Sequence, residues 1–282
     1  MQQVKTIGVC GAGTMGSGIA QVAAQYGFNV VLFDLGESML LKSKASMEIS
    51  LQKLVEKQKL SAQEKEEILQ RVVFTSSINN CIADVIIEAI IENKAIKQQL
   101  FDQLAQLNNE TAIFATNTSS ISITALSDGK KYAPRFAGMH FFNPAQIMKL
   151  VEVIHSENTS EEVITTLVEL AKKMGKTPVV CKDAPGFIVN RVARHYYLEA
   201  MHLLENNNGD VETIDAVMEA TGFKLGPFKL MDLIGMDVNF SVSNIVWEAL
   251  GKPERLQPSV IQKNKVEANE LGKKTGKGFY KY

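Results

Sequence analysis

Thr6-Ile7-Gly8-Val9-Cys10-Gly11-Ala12-Gly13-Thr14-Met15-Gly16 passes from a short β-rich apolar run into a turn with three spaced glycines. Ile19, Ala20, Val22 and Ala23 then continue it as a helix of small and apolar residues. Spaced glycines alone are a weak signal, but between a strand and a helix they read as a turn built to hold pyrophosphate. Gly11 permits the tight turn, Gly13 lets backbone approach phosphate, and Gly16 allows close helix–strand packing. Ala12, Thr14 and Met15 complete this cofactor loop, where the first helical N–H groups and the helix dipole favour anionic phosphate. Asp34 closes the next strand; a carboxylate there can bond both ribose hydroxyls and repels a 2′-phosphate. No arginine follows in Leu35-Gly36-Glu37-Ser38. The cofactor expected is NAD, against the plainer alternative of a glycine turn with an ordinary strand-end Asp.

Working outward, the sequence predicts strands at Thr6–Cys10, Asn29–Phe33, Val72–Thr75, Val85–Glu88, Ile113–Thr116 and Phe136–His140. Met148–Ile154 and Thr177–Cys181 read as later additions at the sheet edge, flanking a helix over Glu161–Met174 that stops at Gly175. Strands alternating with helices indicate a parallel sheet wrapped on its faces. Between Asp34 and Val72 two helices are predicted, Ser38–Lys57 and one begun by Ser61, where Ser61 and Glu64 have capping-box spacing. This helical pair is longer than a simple crossover and reads as an added recognition arm. After Asp183-Ala184-Pro185-Gly186 strand signals stop, and helices are expected over Phe187–Glu205, Val211–Thr221, Met231–Leu250 and Ser259–Glu270. The fold class is therefore α/β, a Rossmann-type doubly wound sheet over residues 1–184 followed by an all-α C-terminal domain over residues 185–282. The apolar stripe of the helix begun at Phe187 is too wide for one solvent-facing helix, which points to burial on two sides and a homodimer.

With 282 residues, 45% hydrophobic and 22% charged, the chain can bury a sizeable core. Thirty basic against 31 acidic residues leave a net charge of −1, which argues against a general nucleic-acid binder. Cys10, Cys81 and Cys181 lie far apart, with no CxxC pair, so neither a disulfide framework nor a metal site is expected. No apolar run approaches the ~18 residues of a membrane span, and the opening residues lack the pattern of a signal peptide. A reducing cytoplasm is the expected location.

Of the four histidines, His195 and His202 fall within a predicted helix and His155 in a predicted turn. His140 instead ends a strand on the side where open parallel sheets bind ligands, beside Phe141-Phe142-Asn143-Pro144. Gly138-Met139-His140-Phe141-Phe142-Asn143-Pro144 followed by Met148-Lys149-Leu150-Val151-Glu152-Val153 resembles the signature of the 3-hydroxyacyl-CoA dehydrogenase family. Asn117-Thr118-Ser119-Ser120, Ala184-Pro185-Gly186-Phe187-Ile188-Val189-Asn190-Arg191 and the terminal Gly272–Tyr280 stretch are similar to it too. The resemblance runs from Gly8 to Tyr282.

That resemblance implies reversible, NAD-dependent oxidation of an (S)-3-hydroxyacyl-CoA to the 3-oxoacyl-CoA, with short chains such as 3-hydroxybutyryl-CoA and acetoacetyl-CoA preferred. His140 would be the general base and Glu152 its orienting carboxylate, a pairing that keeps one imidazole tautomer and stabilises the imidazolium. Ser119 and Asn190 would surround the reacting oxygen, with Asn190 supplied by the helical domain. Glu92, Lys97, Asn143 and Lys274 are carried over as further NAD contacts, with Ser119 and Asn143 shared between cofactor and substrate. Ser50 and Lys57, on one face of a predicted helix, would meet CoA. By residue type alone, Glu92, Lys97 and Lys274 read equally as surface charges, Ser50 and Lys57 as a solvated helix face, and Ser119 as a turn former. Two other functions fit the fold: an NAD-dependent dehydrogenase of a free hydroxy or sugar acid, and a non-catalytic NAD(H)-binding, crystallin-like protein.

Overall fold

The structure, a computed structural model, describes residues 4–282. Its contacts divide the chain into two units, one ending at Asp183 and the other beginning at Ala184. The first holds an eight-stranded sheet: β1 (Thr6–Cys10), β2 (Asn29–Phe33), β3 (Val72–Thr75), β4 (Val85–Glu88), β5 (Ile113–Thr116), β6 (Phe136–Phe141), β7 (Leu150–His155) and β8 (Thr177–Lys182). The order is β3-β2-β1-β4-β5-β6-β7-β8. Neighbours from β3 through β6 run parallel, β6 and β7 pair antiparallel, and β7 and β8 run parallel. The chain reverses its direction of travel between β1 and β4, which opens a crevice at their carboxyl ends.

Six helices cover this sheet: α1 (Thr14–Gln25), α2 (Glu37–Glu56), α3 (Ala62–Gln70), α4 (Lys94–Leu107), α5 (Ile123–Ser127) and α6 (Glu161–Lys173). Every residue of β4, β5 and β6 is buried, as expected of strands covered on both faces. Alternation divides their side chains. Val9, Leu32, Ile87, Met139 and Val153 join Ile19, Met47 and Leu167 in one core. On the other face Phe101 packs edge-on against Phe114 and Phe136, with centroids 6.1 and 4.7 Å away. Each fully buried ring of this kind contributes roughly 1.5–3 kcal/mol.

Local chemistry sets the helix ends. Ser61 accepts from the Glu64 amide at 3.1 Å while Glu64 accepts from the Ser61 amide at 2.7 Å, completing the capping box. These bonds hold the Glu64 carboxyl below its ordinary value. Gly175 follows α6 with φ of +68°, and a side chain there would run into the Tyr26 hydroxyl. β6 extends one residue past the expected end. β7 runs over Leu150–His155 rather than the expected 148–154, so His155 lies within the strand instead of in a turn.

The second unit is helical: α7 (Val189–Glu205), α8 (Val211–Ala220), α9 (Pro227–Ile234), α10 (Met236–Ala249) and α11 (Val260–Glu267). Several boundaries differ from expectation. Phe187 takes φ of +47°, which delays α7 to Val189. The single helix expected over Met231–Leu250 is two helices, because Gly235 turns the chain at φ of +102°. The first of them begins earlier, with Pro227 in its first turn, where the missing N–H costs nothing. The last helix stops at Glu267, ahead of Asn269 at φ of +55°.

Tyr197, Met201, Phe228, Met231 and Val246 form the core of this unit. Arg194 is buried with them, its guanidinium donating to the Asn239 carbonyl at 2.8 Å and the Ser243 hydroxyl at 2.9 Å. Burial pushes Arg194 down to about 10. The terminal glycine-rich stretch has a structural task. Buried Asp232 accepts from the amides of Phe279 and Tyr280 at 2.9 Å and from the Tyr282 hydroxyl at 3.1 Å. Gly278 leaves room for that carboxylate, which a side chain would strike. Asp232→Ala strands two amides and is expected to destabilise the tail by about 3 kcal/mol, read as faster amide exchange at Phe279 and Tyr280. Unchanged exchange there would mean that other contacts hold the segment.

Candidate active site

The glycine turn joins β1 to α1 at the crevice. Gly11 has φ of +104°, and a Cβ on it would lie 2.5 Å from the Ala89 carbonyl oxygen, so the turn packs directly on the chain leaving β4. A Cβ on Gly16 would overlap the Gly11 carbonyl oxygen, which enforces the helix–turn contact. Gly13 differs: it is the N-cap of α1 with φ of −70°, and a Cβ there would meet nothing within 4 Å. Its glycine is required by neither backbone strain nor a protein neighbour, which suits a position that a phosphate approaches. No side chain caps α1, so its first amides and the dipole face outward, as an anion site needs. Asp34 Oδ2 accepts from the Ala12 amide at 2.7 Å and Oδ1 from Gly36 at 2.9 Å, so this carboxylate also braces the turn. Beside it lies a cavity of about 1010 Å³ lined mostly by apolar groups, among them Leu35, Ile78, Ile91 and Ile96. Those lining residues carried no signal in the sequence, because isolated isoleucines beside strands look like core.

His140 and Glu152 are direct register partners across the antiparallel β6–β7 pair. The imidazole Nδ1 lies 2.8 Å from Glu152 Oε2, with both residues buried. The Phe142 ring packs on the imidazole at 4.6 Å. A carboxylate on Nδ1 selects the tautomer with hydrogen there and leaves proton exchange to Nε2.

The segment after β5 is tied to the same sheet edge. Asn117 Oδ1 accepts from the Phe141 amide at 2.8 Å, one residue past His140. Glu92 accepts from the Thr118 hydroxyl, the Ser119 amide at 3.3 Å and the Ser120 hydroxyl at 2.8 Å. Lys97 stands behind it, 3.1 Å from Glu92 and 2.5 Å from Glu88. Burial acts to raise the Glu92 carboxyl, but Lys97 and the hydroxyl bonds outweigh it and hold the group low. For Glu88, deeper in the sheet, burial wins over Lys97 and raises it. Lys97 is 1% exposed, so it is not a surface charge. Glu88 was missed by sequence reasoning, although a lone carboxylate ending the run Val85-Ile86-Ile87 was its visible trace.

The other candidates are more dispersed. Asn143 is exposed on the β6–β7 loop, in a cis peptide bond with Pro144. Ser50 on α2 accepts from Gln21 Nε2 at 3.1 Å. Lys57 is exposed but follows the end of α2 as its C-cap, so the expected pairing of the two within one helix is corrected. In the second unit, Asn190 lies in the first turn of α7 and its carbonyl accepts from Arg194 Nε at 3.1 Å. Lys274 there pairs with Asp237. Among the described residues, no group of three or more His, Cys, Asp or Glu is placed to hold a metal ion, and no helix is long and apolar enough to cross a membrane.

Comparison with known proteins gives the family of the chain. The model of the 3-hydroxyacyl-CoA dehydrogenase NAD-binding domain matches residues 6–184, and that of the family's C-terminal domain matches residues 186–282. The chain is 45% identical over 282 residues to 3-hydroxyadipyl-CoA dehydrogenase of Escherichia coli K12, covering 99% of this chain but 59% of that longer protein. It is 43% identical to a probable 3-hydroxybutyryl-CoA dehydrogenase of Deinococcus radiodurans, over 98% of this chain and 99% of the other. The solved structure of (S)-3-hydroxybutyryl-CoA dehydrogenase from Ralstonia eutropha superposes with a TM-score of 0.95 at 37% identity, covering 99% of both chains. A strand-to-helix glycine turn shaped for NAD, ahead of a buried histidine–carboxylate pair, thus sits in a chain that belongs to the NAD-dependent 3-hydroxyacyl-CoA dehydrogenase family and carries both of its domains.

Proposed function

We propose that this protein catalyses the reversible oxidation of (S)-3-hydroxyacyl-CoA, with 3-hydroxybutyryl-CoA as substrate and acetoacetyl-CoA as product. The observation that carries the reading is the 2.8 Å bond between buried His140 Nδ1 and Glu152. NAD, held by the Gly11–Gly16 turn and Asp34, supplies the hydride acceptor when bound. His140 Nε2 takes the hydroxyl proton as hydride leaves the carbinol carbon, and returns it in the reverse direction. Glu152 stabilises the imidazolium so formed. Ser119 is proposed as one hydrogen-bond donor to the reacting oxygen and Asn190 as the other, both strengthening as negative charge grows there on ketone reduction. Glu92, braced by Lys97, orders the Thr118–Ser120 segment and with it Ser119. Asn143 and Lys274 are proposed as further cofactor contacts, with Asn143 shared with substrate.

The four-carbon substrate is favoured by the relatives named for 3-hydroxybutyryl-CoA. The helical unit, residues 185–282, is proposed to serve substrate binding and homodimer formation. Its exposed Val192 (65%), Phe223 (50%) and Leu233 (53%) support a covered surface. A cytoplasmic location fits three cysteines that are all free thiols.

His140→Gln keeps the approximate size of the side chain but removes the base, and is expected to lower kcat for acetoacetyl-CoA reduction by roughly 10³-fold or more with NADH binding retained. Near-parent turnover by the folded variant would exclude this mechanism. Ser50 and Lys57 are proposed CoA contacts. Charge reversal in Lys57→Glu should raise KM for acetoacetyl-CoA while kcat holds, and an unchanged KM removes Lys57 from the site. Equilibrium sedimentation should return twice the 31.1 kDa chain mass, whereas a single-chain mass across the micromolar range rejects the dimer.

A further inference from the structure

Lys176 is a buried cation that the reaction described above does not use. It follows Gly175 at the start of β8, is 9% exposed, and has no carboxylate partner among the ion pairs of the described residues. Its ammonium instead donates to two backbone carbonyls, Ala145 at 2.5 Å and Met148 at 2.9 Å. Both belong to the segment joining His140 on β6 to Glu152 on β7. Most of that segment is exposed, Ile147 by 73% and Met148 by 40%, while Ala145 is 1% exposed. Burial pulls Lys176 below its ordinary value, so the two carbonyl bonds hold a charge there against a desolvation cost.

The opposite side of the segment rests on the cofactor helix. A Cβ on Gly18 of α1 would come within 3.1 Å of Ala145 Cβ and 3.0 Å of Gln146 Oε1. A glycine inside a helix is unfavourable on its own account, and here it is what lets the segment sit down on α1. The segment is thus held between α1, whose N-terminus forms the phosphate site, and the ammonium of Lys176.

We propose that Lys176 is a positioning residue for the reaction: it clamps the 142–149 segment so that Phe142, packed on the His140 ring, and Asn143 keep the places that catalysis requires. This rests on the function proposed above. A misplacement of about 1 Å at such a site costs on the order of 10²-fold in rate, and removing the ammonium also leaves the Ala145 and Met148 carbonyls without that donor, which costs some stability. Positioning is therefore read from kcat against NADH affinity and from rescue by arginine, which a merely structural role would not separate.

The test compares Lys176→Met, Lys176→Arg and Gly18→Ala in the full-length protein, using acetoacetyl-CoA and NADH. Lys176→Met is expected to melt somewhat lower than the parent while staying folded, to lose roughly 10- to 100-fold in kcat with a change in the Kd of NADH below about threefold, and to exchange the Ile147 and Met148 amides faster. Lys176→Arg restores a cation and donors, and should recover most of the turnover. Gly18→Ala disturbs the seat from the other side and should also lower kcat, although alanine favours the helix. Turnover of Lys176→Met within about twofold of the parent, or equal loss in Lys176→Met and Lys176→Arg, overturns the proposal. If Lys176→Met cannot be obtained folded, near-parent turnover of Gly18→Ala overturns it. A parent protein without activity on acetoacetyl-CoA defeats the proposed reaction instead, and loop exchange that Lys176→Met leaves unchanged would then still reject the clamp.

Discussion

The reversal of direction between β6 and β7 is the constraint on which the candidate chemistry depends. A further parallel strand at that position would need a long crossover and would bring its own residues to the edge. The antiparallel return instead sets Glu152 opposite His140 in the ladder. Met139, Phe141, Val151 and Val153 all point into one core, so period-two alternation sends His140 and Glu152 together to the other face. A register slip by one residue would bury the wrong set, so the hydrophobic core and the His140–Glu152 pairing select the same alignment. Gly138 helps hold it, since a Cβ there would press within 2.9 Å of Ile123 and Ile154.

Sequence periodicity and chemistry located most of this framework without a structure. The first five strands coincide with expectation because continuous apolar runs bounded by turn residues have few other uses. The Ser61–Glu64 box and the Gly175 stop are local hydrogen-bond and φ requirements, and local requirements are written in short stretches. The helix expected over Met231–Leu250 failed for the same reason in reverse. Its apolar pattern continues through Gly235, and only the positive φ adopted there, with Met236 donating to the distant Leu271 carbonyl at 3.2 Å, reveals the break.

The site was legible to a different degree. His140 could be singled out by its place at a strand end, but its bond to Glu152 depends on a register that no local pattern specifies. The resemblance supplied that pairing, and the register is consistent with it. Glu88 and Lys176 escaped entirely. A carboxylate at a strand end and a lysine after a helix cap look like ordinary surface residues until the packing around them is known. Lys97 shows the same point from the other side, since by type it read as a surface charge and it is buried.

Buried charge alone does not mark function in this chain, and the distribution of hydrogen bonds separates two kinds. Asp232 and Asp215 are buried carboxylates whose partners are backbone amides and tyrosine hydroxyls of their own unit. Such groups act as staples, and their donors come from segments that would otherwise fray. The Glu88–Lys97–Glu92 arrangement is different. Its inner carboxylate is fully buried, while the side chain of Glu92 is 37% exposed at the carboxyl edge of the sheet. A charge network anchored inside and opening outward is a costly way to stabilise a fold, since a matched apolar set would do as well or better. It is an effective way to hold a polar surface rigid before a charged ligand arrives, because the reorganisation is completed during folding. On that physical ground the charge network at the end of β4 differs in kind from the buried carboxylates of the helical unit.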